Sequence, residues 1–239
     1  MQLPLIPKGL LIIFVFLFGL QLPLSISADN LSLCSSKTFT TGKKSSGFHT
    51  LYETLCLEEA GLSKQAFEMA VNRYETWQEK GIRFREELMT IIDFSKPSSS
   101  QRLFVLNIPQ EKIVFKTWVS HGKNSGLLYA TRFSNQPQTY QSSLGFFKTL
   151  QPYQGENGYS LRLEGLDKNI NDKAFERAIV MHGAPYVSVA NLQRQGYLGR
   201  SWGCPAVPVE QAKSIIDLIK NGSLLFIYHP VLNSTIGLR

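Results

Sequence analysis

A cysteine and a histidine in separate segments, each beside a glycine, could together perform acyl transfer through a thiol. Cys204 follows Gly203, and His182 precedes Gly183 at the end of an apolar run. The thiolate is the nucleophile in such chemistry, and an imidazole held nearby makes it available at neutral pH. As isolated residue types they also fit a small buried apolar side chain and an ordinary core or surface histidine. The motifs around them favour the catalytic interpretation.

The order of these motifs resembles that of the L,D-transpeptidases of bacterial cell-wall synthesis. In that family an apolar strand ends in His-Gly, and a loop then leads to Ser-His-Gly-Cys. His182 and Gly183 match the first motif, while Ser201, Gly203 and Cys204 match the second.

The resemblance spans about residues 101–228 and includes two departures from the family pattern. Trp202 stands where the family usually has a second histidine, and Pro205-Ala206 replaces a segment that usually contains an arginine or asparagine. The chain is therefore expected to belong to a divergent branch that keeps the nucleophile and the base.

The resemblance implies a mainly β fold, an L,D-transpeptidase-like β-sandwich whose cleft holds Cys204 as the nucleophile and His182 as the base. It implies attack on the amide between meso-diaminopimelate and the terminal D-Ala of a peptidoglycan tetrapeptide stem. The resulting thioester is then resolved by an amine of a neighbouring stem, which gives a three-to-three cross-link. It also implies that carbapenems acylate the thiol.

Three other functions stay open at this point. On the same fold, water could resolve the thioester, which would make the protein an L,D-carboxypeptidase or a hydrolase that cuts an attachment of the wall to another protein. A protein that kept the fold and lost activity would be a non-catalytic wall-binding module. The presence of both Cys204 and His182 argues against that last function.

The residues next to the nucleophile suggest supporting roles. The main-chain N–H groups of Gly203 and Cys204 are candidates for the oxyanion hole. Ser201 is expected to hold the loop through its hydroxyl, and Gly183 to leave room beside the imidazole. Trp202 is expected to present a flat apolar surface to the substrate or to fill the space of the missing histidine. A buried structural side chain is the alternative.

Several polar side chains are weaker candidates for substrate binding. Arg200, Arg162 and Arg132 could each bind a substrate carboxylate through the guanidinium fork. Tyr140 and His121 lie in segments that are expected to border the cleft.

Composition excludes several other classes of protein. The 239 residues are 43% hydrophobic and 18% charged, which is typical of a globular chain. The net charge is +7, and the basic residues are scattered and form no polybasic block. We therefore expect no nucleic-acid partner. A wall peptide rich in carboxylates is a suitable partner for a basic protein. Because the sequence has no metal-ligand spacing and no phosphate-binding glycine loop, no metal or cofactor is expected. The sequence does not specify an oligomeric state.

The N-terminus has the pattern of an export signal. Lys8 precedes an apolar run over residues 10–18, and small residues end at Ala28. We therefore expect residues 1–28 to be a cleaved signal peptide and the mature protein to be periplasmic, without stable membrane insertion. An uncleaved membrane anchor is the alternative.

The three cysteines fit an oxidising compartment. Cys34 could pair with Cys56, which would leave Cys204 as the free thiol. The alternatives are a buried free Cys56 and a lipid-modified Cys34.

The chain is expected to contain three regions after the signal. Residues 29–48 form an extended lead-in, residues 49–94 a helical hairpin with a first strand, and residues 95–239 the catalytic domain. The hairpin comprises one helix from His49 to Ala60 and a second that Ser63 caps and Gly81 ends. Periodicity further predicts strands at 88–94, 103–107, 113–119, 159–163, 178–181 and 224–228, and a helix at 208–220.

Overall fold

The computed structural model describes residues 47–85 and 88–235, all of which belong to the unit Gly42–Arg239. The predicted signal peptide, Cys34 and most of the lead-in lie outside the described residues. Strands run over β1 Leu88–Asp93, β2 Leu103–Asn107, β3 Lys112–Thr117, β4 Gly145–Gly155, β5 Gly158–Gly165, β6 Val180–Gly183, β7 Ala206–Val207 and β8 Leu224–Tyr228. Helices run over α1 Gly47–Thr54, α2 Lys64–Glu79, α3 Val189–Gln195, α4 Val209–Ile219 and α5 Leu232–Thr235.

The eight strands form one mixed sheet in the order β3-β2-β1-β8-β4-β5-β6-β7. Most neighbours are antiparallel, but β1 pairs in parallel with β8, and β6 pairs in parallel with β7. The mainly β fold with few helices is therefore confirmed. The strands predicted at 88–94, 103–107 and 224–228 are confirmed as β1, β2 and β8, within one residue at each end.

The centre of the sheet is buried on both faces by helices. Every residue of β1 and β8 is buried. On one face Trp77 of α2 packs edge-on against Phe146, with ring centroids 5.1 Å apart. On the other face the hydroxyl of Thr149 donates to the carbonyl of Ile219 at the end of α4, at 2.6 Å. Continuous apolar strands such as β1 and β8 are expected when both faces are covered.

The helical hairpin differs from its prediction in two details. The first helix ends at Thr54, and turns cover the residues up to Gly61. Ser63 precedes α2, but its hydroxyl makes no capping bond; its main-chain N–H donates instead to Oδ2 of Asp93 at 3.0 Å. The start of α2 is thus held by β1 rather than by its own cap.

β1 lies within the sheet rather than at its border. It pairs with β2 on one side and with β8 on the other, so the hairpin before it packs directly on the sheet. No helix among the described residues is both long and apolar enough to span a membrane.

The connection from His182 to Cys204 contains a short helix that the sequence analysis did not predict. Ser188 caps α3 by accepting a hydrogen bond from the N–H of Asn191, and Gly196 ends the helix with a φ of 79°. Serine before a helix and glycine after it are the usual cap residues, so this signal was present in the sequence.

Candidate active site

Strand pairing brings Cys204 next to the strand that carries His182. In the parallel pair of β6 and β7, His182 is opposite Ala206, so Cys204 comes two residues before that partner. The Sγ atom of Cys204 lies 3.5 Å from the main-chain N of Val180 and 3.7 Å from the carbonyl O of Ala178. The thiol is therefore in contact with the backbone at the start of β6.

The thiol of Cys204 is subject to opposing influences. Burial raises its pKa, whereas the N–H of Val180 and the positive charge of Arg177 lower it. The N–H of Val180 and the charge of Arg177 both stabilise a thiolate. Cys204 is a free cysteine and Cys56 is disulfide-bonded, while Cys34 lies outside the described residues.

The imidazole of His182 is held in one tautomer. Its side chain is buried, and Nδ1 lies 2.9 Å from the carbonyl O of Gly183. A carbonyl oxygen only accepts, so Nδ1 carries the proton and Nε2 keeps its lone pair. Burial lowers the pKa of His182, which keeps the ring neutral at pH 7. A neutral ring with a free Nε2 is the form that accepts a proton from a thiol.

Gly183 makes room for a helix rather than for a substrate. A Cβ at this position would lie 2.9 Å from the Cβ of Ala212 and 3.2 Å from the Cα of Val209, both in α4. Because successive residues of a strand point to opposite faces, His182 faces away from α4. The site therefore lies on the sheet face opposite α4.

Ser201 fixes the loop that carries the nucleophile. Its hydroxyl donates to the carbonyl O of Cys204 at 2.6 Å and accepts from the N–H of Gly203 at 3.0 Å. Its own N–H donates to the carbonyl O of His121 at 3.0 Å. The geometry is the one expected for a serine that holds the loop.

Gly203 sits in a conformation and a space that favour glycine. Its φ is 125°, and a Cβ would lie 2.7 Å from the carbonyl O of Gln141. Ser142 donates to its carbonyl at 3.0 Å. Since its N–H already donates to Ser201, Gly203 is not a free oxyanion donor in this state. Of the two donors expected from the sequence, the N–H of Cys204 is the better candidate.

Arg177 is a residue of this site that the sequence analysis missed. Its guanidinium donates to the carbonyl O atoms of Ser134 and Gln141, at 2.6 and 2.9 Å, and to the hydroxyl of Ser143. None of the ion pairs within the described ranges includes Arg177. Its half-buried charge therefore faces neutral groups and the thiol of Cys204. Nothing in the residue types marked Arg177, because most arginines are solvated.

Tyr186 is a second missed residue near the thiol. Burial and, as a smaller cause, negative charge at Cys204 together raise its pKa to about 12. A Cβ at Gly199 would lie 2.4 Å from the Cβ of Tyr186, so the Tyr186 side chain occupies the space that the glycine leaves. Tyr186 therefore keeps its phenolic proton at neutral pH.

Trp202 lies at the surface of the site. Its side chain is 71% exposed, which excludes the buried structural role. Its ring packs against that of Tyr140, with centroids 5.4 Å apart, and the Nζ of Lys123 lies 4.1 Å from the centroid of the Tyr140 ring. Tyr140 thus lies against the residue that precedes Gly203 and Cys204 in the nucleophile loop.

The three candidate arginines differ in their surroundings, and Arg132 is exposed. Arg200 donates to the carbonyl O atoms of Lys123 and Gly126, at 3.4 and 3.3 Å, and so stabilises the loop between these two residues. Arg162 stacks on the ring of Tyr153 at 4.2 Å and pairs in register with Val180, the residue whose N–H faces the thiol.

The expectation that His121 borders the cleft is wrong for its side chain. His121 is 0% exposed, and its Nδ1 lies 2.8 Å from Nη2 of the buried Arg102. Burial, followed by the charge of Arg102, lowers the pKa of His121 to about 3. The imidazole is therefore a neutral acceptor in the core, and His121 serves the site through its carbonyl bond to Ser201.

The part of the chain that the structure describes contains no group of three or more histidine, cysteine or carboxylate side chains placed to hold a metal ion.

Comparisons with known proteins agree with this arrangement. The family model for the L,D-transpeptidase catalytic domain matches residues 58–228, well over half of the chain. No sequence among the curated proteins matches this chain significantly.

Solved structures show a looser similarity. An L,D-transpeptidase from Mycobacterium smegmatis is 15% identical, with a TM-score of 0.37, and the match covers 60% of this chain and 59% of that one. An L,D-transpeptidase from Mycobacterium tuberculosis H37Rv is 14% identical, with a TM-score of 0.39 and coverage of 60% and 58%. The helical cell shape determining protein of Campylobacter jejuni is 10% identical, with a TM-score of 0.41 and coverage of 62% and 49%.

The chain thus spans less than two thirds of the length of these solved structures. The family model includes β1 through β8, and with them both His182 and Cys204. The chain belongs to the L,D-transpeptidase catalytic domain family.

Proposed function

We propose that this protein is a peptidoglycan L,D-transpeptidase with Cys204 as its nucleophile and His182 as its base. The observation that carries the proposal is the contact at the start of β6. There the thiol of Cys204 lies against the N–H of Val180, and the imidazole of His182, held in one tautomer, follows two residues along the same strand. Acyl transfer through a thiol requires these two groups on rigid neighbouring elements.

The first half of the reaction forms a thioester. Nε2 of His182 takes the thiol proton, and the sulfur attacks the carbonyl carbon of diaminopimelate. The N–H of Cys204 stabilises the oxyanion. The bond from that carbon to the nitrogen of D-Ala then breaks, and the imidazolium returns its proton to the departing amine.

The second half releases the enzyme. The side-chain amine of diaminopimelate on a neighbouring stem attacks the thioester carbonyl and loses a proton to His182. The carbon–sulfur bond breaks, and the thiol of Cys204 is restored. No other energy source is needed, because the thioester conserves the energy of the cleaved amide.

Charge at the site suits a carboxylate-rich donor. The charge of Arg177 acts on the thiol of Cys204, and Arg162 stands on β5 opposite Val180. The guanidinium of Arg162 could bind the D-Ala carboxylate or a diaminopimelate carboxylate. Positive charge also favours the thiolate that attacks.

Purified muropeptides test this function directly. Wild-type protein incubated with disaccharide-tetrapeptide should give cross-linked dimers that have lost one D-Ala, detected by mass spectrometry. Cys204→Ala is the matched control and should give none. Trimmed tripeptides without dimers would show a carboxypeptidase instead, and no product would reject enzymatic action on these stems.

The same proposal places the protein in the cell envelope after removal of residues 1–28. The disulfide-bonded Cys56 supports an oxidising compartment. N-terminal sequencing of protein from the native host should give Asp29 or a nearby residue. A retained Met1 would favour a membrane anchor and contradict cleavage.

A further inference from the structure

An exposed pair of aromatic rings with a lysine lies beside the nucleophile loop, and no step of the acyl transfer uses it. We refer to Trp202, Tyr140 and Lys123 as the aromatic platform. The indole is 71% exposed, and its tilt of 58° to the Tyr140 ring leaves most of its surface open to solvent. An exposed indole with a second ring beside it offers a ligand a broad aromatic surface with an open π-face.

The platform is fixed in place. Ser201 and Gly203, which flank Trp202, are both tied down by hydrogen bonds within the loop. Tyr140 is held at a φ of 55°, and its carbonyl accepts from the N–H of Asn124 at 3.2 Å. A rigid surface loses little entropy when a ligand binds to it.

Several main-chain groups around the platform are already hydrogen-bonded within the protein. The N–H of Lys123 donates to the carbonyl of Ser201 at 2.8 Å, and the N–H of Ser201 donates to His121. The carbonyl of Lys123 accepts from Arg200. An extended peptide is usually recognised through free backbone groups of this kind. The side chains of the platform offer two rings and one ammonium group for recognition.

We propose that the aromatic platform is a carbohydrate subsite that holds a pyranose ring of the glycan strand beside the peptide being cleaved. The axial C–H bonds of a pyranose carry partial positive charge and pack against the negative face of an indole. The Nζ of Lys123, 5.5 Å from the centroid of the Trp202 ring, can donate to hydroxyl or acetamido oxygens at the sugar's edge.

The location fits a donor in which sugar and peptide are joined. The reacting carbonyl belongs to the third residue of the stem, which an extended chain places about 10 Å from the sugar. Trp202 is two residues from Cys204, a main-chain separation of at most about 7 Å. A sugar over the indole therefore leaves the stem within reach of the thiol. This inference rests on the proposed function for its choice of glycan.

Two substrates and a pair of variants test the subsite. The measured quantity is the ratio of kcat/KM for disaccharide-tetrapeptide to kcat/KM for the free tetrapeptide. Trp202→Ala should lower this ratio about tenfold, the loss expected for one stacking contact. Trp202→Phe should recover part of it. Tyr129→Ala removes another aromatic side chain, 49% exposed, and should leave the ratio as in wild type. A ratio that Trp202→Ala does not change overturns the proposal.

A binding measurement separates this proposal from the proposed function. Of the three tryptophans, Trp77 is buried and Trp118 is half-buried, so a change in exposed-indole emission reports on Trp202. Titration with an N-acetylglucosamine trisaccharide should shift the emission to the blue in wild type and not in Trp202→Phe. This result would support the subsite even if neither peptide were turned over. A shift with free tetrapeptide and none with trisaccharide would overturn it in favour of a peptide site.

Discussion

The main-chain N–H of Val180 points at the Sγ of Cys204 across 3.5 Å. This contact joins the nucleophile to the strand that carries the base, and a hydrogen bond to sulfur favours the thiolate over the thiol. The reactivity of Cys204 therefore depends on how the backbone at the start of β6 is held, as well as on the imidazole.

Replacing the nucleophile should remove all covalent chemistry at the site. Cys204→Ala should retain the fold, since Cys204 is only half-buried, and should gain no mass on incubation with a carbapenem. Wild-type protein should gain one carbapenem per chain, measured by intact-mass spectrometry. An adduct that peptide mapping places on Cys34 or Cys56 would overturn the assignment.

Removing the imidazole should slow acylation without removing the thiol. His182→Ala is expected to lower the carbapenem acylation rate by a factor on the order of 10². Because burial lowers the pKa of His182, the neutral base persists as pH falls through the usual histidine range. The wild-type rate should therefore hold near pH 6.5 and decline only at more acidic pH.

The acidic decline of that rate should be absent in His182→Ala. Stopped-flow measurements over a pH series would compare the two profiles. Identical profiles in both proteins would show that His182 is not coupled to the thiol.

Loss of the Arg177 charge should make the thiol harder to ionise. The guanidinium lowers the pKa of Cys204, so Arg177→Gln should raise that pKa and shrink the thiolate fraction at pH 7. Alkylation of Cys204 by iodoacetamide should then be severalfold slower at pH 7 and recover at alkaline pH. Arg132→Gln removes an equal charge at an exposed position and serves as the control. Equal rates in the two variants would contradict a role of Arg177 at the thiol.

A side chain at Gly203 should distort the nucleophile loop. Gly203→Ala combines a strained φ of 125° with a contact of 2.7 Å to the carbonyl of Gln141, and should cost about 3 kcal/mol of unfolding free energy. Gly196→Ala is the matched control, because its φ is 79° and a Cβ there has open space. It should cost about 1 kcal/mol. Chemical denaturation measures both, and equal losses would show that crowding at Gly203 contributes nothing.

Local sequence was enough to predict the strands at the centre of the sheet. β1, β2 and β8 are short apolar runs bounded by turn residues, and such strands form wherever they can be buried. The His-Gly and Ser-x-Gly-Cys motifs likewise selected His182 and Cys204 as the candidate base and nucleophile, because thiol chemistry restricts the residue types and their neighbours. The loop role of Ser201 followed from the same motif.

Other features depend on groups that are distant in sequence. Gly183 was expected to leave room beside the imidazole, yet its missing side chain accommodates Ala212 of α4. His121 was placed at the edge of the cleft, yet it points into the core toward Arg102. Sequence shows which residues are neighbours in the chain, but the face on which each side chain lies depends on what packs against the strand or loop.

The sequence by itself determined the family and the mainly β fold, and it supplied the candidate thiol and imidazole. The tertiary structure decided that Trp202 is exposed, that the N–H of Gly203 is already bonded to Ser201, and that the charge of Arg177 acts on Cys204. The physical reason is the distance along the chain over which each property is set. Motifs record chemistry over a few residues, whereas exposure, hydrogen-bond partners and electrostatic environment are set by segments that only folding brings together.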